Sequence, residues 1–339
     1  MVIETILCGV DGSEIHMFRG EFDWLNTRAP VIFGDEIIGR VSALGEGTGE
    51  TRKLRIGDRV VIEARWTCGD CRTCNAGQYY LCERRPRSTG YGLMPCADVP
   101  HLMGGYATHV YVPEIALVHP VPEGMSDKTA LIGCSPLANG VRWAGMGGTP
   151  AGAHTVVIGP GPQGLSCAVA ASALGHEVTL VGLEADAARL AVAQEFGISS
   201  TYMIPSDAAV ADIVQDISSS RGPVDLIIET AGAVPAKSLA FELIRPMGAV
   251  VNVSVPSQHI QPINWQRMMT HEVTIYNPLS HPHHVQKGMA LAAQLLGNGL
   301  DVGDWITHVF GLSQVVESIA TAAYETPERP VKVALDPSA

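Results

Sequence analysis

Residues 155–182 read TVVIGPGPQGLSCAVAASALGHEVTLVG, and this stretch decides the fold. A short β-branched run, Thr155 to Ile158, meets a glycine turn and then a long Ala-rich segment of helical character. Gly159, Gly161 and Gly164 fall in the G-x-G-x-x-G order. In such a turn the first glycine bends the chain sharply and the second lets backbone approach a pyrophosphate. The third lets helix and strand pack closely, and the phosphates sit on the helix N-terminus. The motif alone is weak evidence. Its weight here comes from the strand before it, the helix after it and a second apolar strand about 20 residues on. The stretch predicts a strand–turn–helix–strand unit that binds a dinucleotide.

The pattern continues toward the C-terminus. VDLIIETAG (224–232) and GAVVNVSVP (248–256) are apolar and β-branched without alternation, as parallel strands buried on both faces are. A helix ending at a glycine is predicted over 284–300, then a short β run, a helix and a last strand up to Leu335. Toward the N-terminus the texture differs. Gly and Pro punctuate short β runs, VIETIL, EIIGRVSAL, DRVVIEA, YATHVYV and ALVHPV, which read as a β-rich unit with long loops. A chain of 339 residues exceeds the usual single core, so two domains are expected.

The end of the second strand bears on which dinucleotide binds. An acidic residue there would bond the ribose hydroxyls of NAD. Here VTLVGLEAD ends its apolar run at Gly182, with Glu184 two positions later and Arg189 beyond, where it could meet a 2′-phosphate. The cofactor is NAD or NADP, and Glu184 tips the reading toward NAD.

Composition narrows the rest. There are 22 Lys+Arg against 34 Asp+Glu, a net charge of −12, which argues against binding nucleic acid or an anionic membrane. No apolar stretch is long enough to span a bilayer, and MVIETILCGV lacks the marks of a signal peptide. A cytoplasmic location is expected. Of eight cysteines, Cys68, Cys71, Cys74 and Cys82 crowd into CGDCRTCNAGQYYLC. Four thiolates in one loop suit a tetrahedral, closed, structural zinc site, and the spacing fits an iron–sulfur cluster poorly.

Together these motifs resemble the zinc-containing medium-chain dehydrogenase/reductases, the alcohol, sorbitol and threonine dehydrogenase family. CGVDGSEIH (8–16), PVIFGDEIIGRVSALGEG (30–47), the four-cysteine lobe, GGYATHVYVP (104–113), the glycine turn and VDLIIETAG carry the resemblance, which covers essentially the whole chain. It implies an α/β protein with a GroES-like β-rich catalytic domain, residues 1–138 and 300–339, and a Rossmann doubly wound parallel-sheet domain, residues 139–299. It further implies a cofactor cleft at their junction and hydride transfer between a nicotinamide and an alcohol or carbonyl carbon of a small molecule. A homodimer or homotetramer is implied as well.

The resemblance breaks at the catalytic centre. Where family members with a catalytic zinc carry a cysteine ligand, this chain has Asp11, and the histidine of the family's G-H-E triplet is Asp35, followed by a retained Glu36. The third ligand region reads GCSPL, with Cys134 near the cysteine version and Ser135 at the glutamate version. Three carboxylates in one cleft cannot all stay ionised without a cation. Either a second metal binds through Asp11, Asp35, Glu36 and Cys134, or a protonated Asp11 or Asp35 acts as general acid, or the site is silent. Ser13 and His16 match the family's proton relay, and Arg329 stands where a basic residue would neutralise Glu36.

Other candidates are weaker. His281, His283 and His284 cluster in NPLSHPHH and could bind a metal, although a solvated loop is the plainer reading. His101 and His109 read as structural, and Trp24 and Trp143 as packing residues. Family chains usually carry a β-hairpin before the Cys8 loop. Here VIETIL already leads into that loop, so either the start lies further upstream or the first sheet exposes an edge. Three functions compete: an alcohol dehydrogenase working as carbonyl reductase in reverse, a zinc-independent C=C or C=N reductase, and a catalytically silent dinucleotide binder.

Overall fold

The computed structural model describes residues 1–85, 89–255 and 263–339. The chain forms two compact units, residues 1–135 with 292–339, and residues 136–291.

The first unit begins with β1 (Val2–Val10), which runs into the short helix α1 (Gly12–Phe18). β2 (Ile37–Ala43), β3 (Arg59–Ile62), β4 (His109–Tyr111) and β5 (Val118–Pro120) follow, then helix α2 (Asp127–Cys134). Each β run expected in this half is present. β1 alternates buried and more open residues from Ile3 to Leu7, then is buried at every position from Cys8 to Val10. That change follows from what surrounds it, because the end leading into α1 lies in the packed interior of the unit. Ile3, Cys8, Ile37, Val41, Val60 and Ile62 form one core cluster along the strand, and Val10 packs in another with Ile319, Val333 and Leu335.

The second unit is a parallel sheet built from β6 (His154–Ile158), β7 (Glu177–Gly182), β8 (Ser200–Met203), β9 (Val224–Glu229), β10 (Ile244–Asn252) and β11 (Thr274–Tyr276). Its strand order is β11-β10-β9-β6-β7-β8. The order reverses between β6 and β9, the switch point outside whose carboxyl ends such sheets bind ligands. The helices α3 (Pro162–Ala173) and α4 (Val234–Leu243) follow β6 and β9. β6 is buried at all five positions, which explains its unbroken apolar run.

The chain then returns to the first unit for β12 (Ile306–Gly311) and β13 (Lys332–Asp336). The resulting sheet runs β12-β13-β1-β2-β3-β5, with β4 also on β1. β1 is therefore interior: β2 pairs along one side, while β4 pairs Val2–Glu4 and β13 pairs Cys8–Val10 on the other, so VIETIL forms no edge. Among the described residues no helix is long and apolar enough to cross a membrane.

Candidate active site

The glycine turn has the geometry its sequence requires. Gly159 has φ +99°, and a Cβ on Gly164 would lie 1.8 Å from the Gly159 carbonyl oxygen. Gly161 is the N-cap of α3 and offers no side chain to the helix's first N–H groups. β7 ends at Gly182, and Glu184 is exposed in the turn that follows. Arg189 lies 3.7 Å from Asp186 Oδ1, and its Nη1 is 3.9 Å from where a Gly161 Cβ would sit.

The altered residues lie in the first unit, around the inner end of β1. Asp11 is the N-cap of α1: its Oδ1 accepts from Ser13 N at 2.6 Å, Ser13 Oγ at 2.6 Å and Glu14 N at 3.2 Å. Glu14 completes a capping box by accepting from Asp11 N at 2.7 Å. It is buried, and burial followed by the Asp11 and Asp35 charges pushes its pKa well above the carboxylate range. The sequence reading passed over Glu14, although an acidic residue three positions after an N-cap aspartate is the signature of this box. Tyr106 lies beside it, its hydroxyl raised first by burial and then by the Glu14 charge.

Glu36 is held on both sides. Ser135 Oγ donates to its Oε1 at 3.0 Å, and Lys332 Nζ lies 2.5 Å from Oε2 and donates to the Val10 carbonyl at 2.9 Å. A Cβ on Gly9 would fall 2.0 Å from Glu36 Oε2, so only glycine fits beneath this carboxylate. Burial raises the Glu36 pKa, and the Lys332 charge opposes it. Burial acts to lower the Lys332 pKa, but Glu36 and Asp11 outweigh it and hold it above the usual lysine value. Arg329 does not do this work. Its Nη1 donates to the Thr326 and Glu328 carbonyls at 2.7 and 2.8 Å, in an exposed loop, so the neutralising residue is Lys332. A lysine amid the β-branched residues of VKVAL was the available signal.

Asp35 is partly buried, and its pKa is pushed up to about 8, first by burial and then by the Asp11 and Glu36 charges. His16, at the end of α1, has Nδ1 2.6 Å from Glu21 Oε2. Cys134 turns back on its own helix, its thiol 3.3 Å from the Leu131 carbonyl, and Ser135 is the residue that reaches Glu36.

Three of these donors already have partners within the protein. Asp11 is committed to its helix cap, Glu36 to Ser135 and Lys332, and Cys134 to α2. Among the described residues, the four lobe cysteines are the only group of three or more His, Cys, Asp or Glu whose ligand atoms lie within 4.8 Å of one another. Asp11, Asp35, Glu36 and Cys134 do not converge in that way.

The cysteine lobe does fit a metal. Cys71 Sγ is 3.4 Å from Cys74 Sγ and 3.9 Å from Cys82 Sγ, and Cys68 and Cys74 are 3.9 Å apart, separations that suit four thiolates around one tetrahedral ion. The lobe is tied to the sheet through Glu63, which accepts from Tyr79 Oη at 2.8 Å and lies 3.0 Å from His119 Nε2.

The histidines of NPLSHPHH do not form a common centre. His281 is buried with Nδ1 3.1 Å from Asn139 Oδ1, while His284 Nδ1 is 2.6 Å from the Pro282 carbonyl. His101 Nδ1 meets the Cys96 carbonyl at 2.7 Å, and His109 Nδ1 lies 3.2 Å from Thr108 Oγ1. Trp143 is buried, whereas Trp24 is exposed and stacked on Phe22.

A parallel sheet with a dinucleotide turn at its switch point, joined in one chain to a β-rich unit with a four-cysteine lobe, defines a two-domain dehydrogenase. Comparison with known families agrees. The alcohol dehydrogenase GroES-like domain matches residues 1–123, and the zinc-binding dehydrogenase domain matches residues 162–294. The sorbitol dehydrogenase of Halalkalibacterium halodurans is 31% identical over 92% of this chain and 85% of its own. A probable alcohol dehydrogenase of Mycobacterium tuberculosis is 32% identical over 74% of this chain and 67% of its own. The solved alcohol dehydrogenase from Thermotoga maritima superposes with a TM-score of 0.83 at 25% identity, covering 99% of this chain and 91% of that one. The chain belongs to the zinc-containing alcohol dehydrogenase family of the medium-chain dehydrogenases, and it is an alcohol dehydrogenase-like oxidoreductase.

Proposed function

We propose that the protein interconverts a small alcohol and its carbonyl compound with a nicotinamide dinucleotide, using a carboxylic acid where its relatives use a zinc ion. The carrying observation is Asp35, partly open to solvent and with a pKa pushed up to about 8. At neutral pH it is largely protonated. Bound NAD or NADP supplies or accepts the hydride. In the reducing direction Asp35 gives its proton to the carbonyl oxygen, and in the oxidising direction its carboxylate takes the proton back. Ser13, bonded to Asp11, and His16, bonded to Glu21, carry the proton onward. The Gly159–Gly164 turn holds the pyrophosphate. Exposed Glu184 supports NAD over NADP, because Arg189 faces Asp186. The four-cysteine lobe holds a structural zinc. Composition supports a cytoplasmic location, and the family's habit supports a homodimer or homotetramer.

A second reading, reduction of a polarised C=C or C=N bond, draws on the same already partnered donors, since that hydride addition needs no Lewis acid on an alkoxide. One assay separates the readings: oxidation of NADH and NADPH with a panel of aldehydes, ketones, enones and imines. Carbonyl reduction that falls at least about 100-fold in Asp35→Asn supports the acid. Turnover of enones or imines alone selects the second reading. Cofactor binding without any turnover sinks both and leaves a silent binder.

A further inference from the structure

The carboxyl ends of β9 and β10 hold a buried charged network that the reaction described above does not use. Lys237, on α4, points its ammonium at three acceptors: Glu229 Oε2 at 2.6 Å, Ser254 Oγ at 2.8 Å and the Asn252 side-chain oxygen. Glu229, the last residue of β9, is 1% exposed. Its Oε2 also accepts from Ser254 Oγ at 2.5 Å, while Oε1 accepts from the backbone N–H groups of Ala231 and Gly232, both at 2.8 Å. The carboxylate thus clamps the loop that follows its own strand.

That loop touches the glycine turn. Thr230 N donates to the Ile158 carbonyl at 2.9 Å, and Thr230 Oγ1 donates to the Gly159 carbonyl at 2.8 Å. A Cβ on Gly159 would lie 3.0 Å from Ala231 N, so the backbones of turn and loop are in close approach. On its far side the loop is pinned at Gly232, where a Cβ would fall 2.5 Å from the Val255 carbonyl. The chain of contacts runs from Lys237 to Glu229, from Glu229 to two loop N–H groups, and from the loop to Gly159.

We propose that Lys237 is a positioning residue for dinucleotide binding: its ammonium fixes Glu229, and Glu229 fixes the Thr230–Gly232 loop against which the Gly159 turn is set. The inference rests on the reading of that turn as the dinucleotide site. The physical reason is that a carboxylate this deeply buried needs its cation. Without the ammonium it must take up a proton, draw in water or swing away, and each response disturbs the two N–H groups it accepts from. A displaced loop frees the Gly159 carbonyl and shifts the N–H groups meant for phosphate.

The test is titration of the full-length protein with NADH and with NADPH, followed by nicotinamide fluorescence at a temperature where each variant is fully folded by circular dichroism. Lys237→Met weakens binding by about tenfold, the equivalent of one charge-assisted hydrogen bond. The double variant Glu229→Gln/Lys237→Met recovers most of that loss, because the amide oxygen still accepts from Ala231 and Gly232 and no unpaired carboxylate is buried. A purely structural ion pair would lower the melting temperature of Lys237→Met and leave its Kd within about twofold of the parent, which overturns the inference. Should Lys237→Met not fold, the double variant and Ser254→Ala carry the test. Weakened binding in Ser254→Ala, with less or none in the double variant, supports the clamp, and unchanged binding in both overturns it. A parent protein that binds neither dinucleotide instead overturns the reading of the turn itself.

Discussion

At the scale of single residues, the centre is a question of how several carboxyl groups share a confined space. The ordinary Asp35 value of 3.8 is raised to about 8 in the folded chain. A carboxyl group whose folded pKa is raised contributes its full share of stability below the unfolded value and loses it as pH rises through the folded one. The stability difference between the parent and Asp35→Asn should therefore shift against the parent from about pH 4 to about pH 8 and then level off, measured by urea unfolding across that range. Carbonyl reduction should lose its rate through the same ionisation near pH 8, and the step should vanish in Asp35→Asn. Lys332 gives a second prediction. Lys332→Met leaves the Glu36 carboxylate buried without its cation and should cost about 3–5 kcal/mol in chemical unfolding, with much of that regained in Glu36→Gln/Lys332→Met. The sequence placed Asp11 and Asp35 as altered positions beside a retained Glu36 because flanking motifs fixed the alignment. It named the wrong cation, because which strand or loop residue reaches a buried carboxylate depends on the register of β13 against β1, and spacing does not encode that.

At the scale of elements, α1 answers why an aspartate suits position 11. Seven residues of helix are too few to stand on propensity, so the cap carries unusual weight. Asp11 and Glu14 supply both halves of a capping box. Asp11→Ala should cost about 1 kcal/mol or somewhat more, and Asp11→Asn, an equally good cap, only a few tenths. Equal destabilisation by the two substitutions would mean that the carboxylate's charge, and not its cap, holds the loop. The larger elements were legible beforehand for a physical reason. β6, β9 and β10 lie in a sheet whose central strands are covered on both faces, so their unbroken apolar runs betray them. Gly159 and Gly164 are dictated by close backbone approach, which no other residue permits, whereas a side chain on Gly161 would meet no backbone. The capping box was equally present in DGSE, but short polar helices announce themselves only by their caps, and a motif read for metal ligands hides one read for capping.

For the whole molecule, the separation of two metal questions is the sharpest consequence. The cysteine lobe has little apolar core of its own. Its short helix Arg72–Asn75 and the turn Tyr79–Leu81 contain no buried residue, and its link to the sheet runs through Tyr79 and Glu63. A metal held by Cys68, Cys71, Cys74 and Cys82 would therefore supply much of the lobe's order, as structural zinc does where hydrophobic burial is scarce. Around Asp35, by contrast, the neighbouring donors bond a helix cap, a serine and a lysine, and the proposed acid role needs no second ion. Protein purified without chelators should contain about one zinc per chain by elemental analysis. Cys71→Ser should abolish that zinc and lower the unfolding temperature, while Asp11→Ala should leave it in place. Two metals per chain, one of them lost in Asp11→Ala, would mean that the carboxylates rearrange around a cation, and the acid role given to Asp35 would pass to that ion.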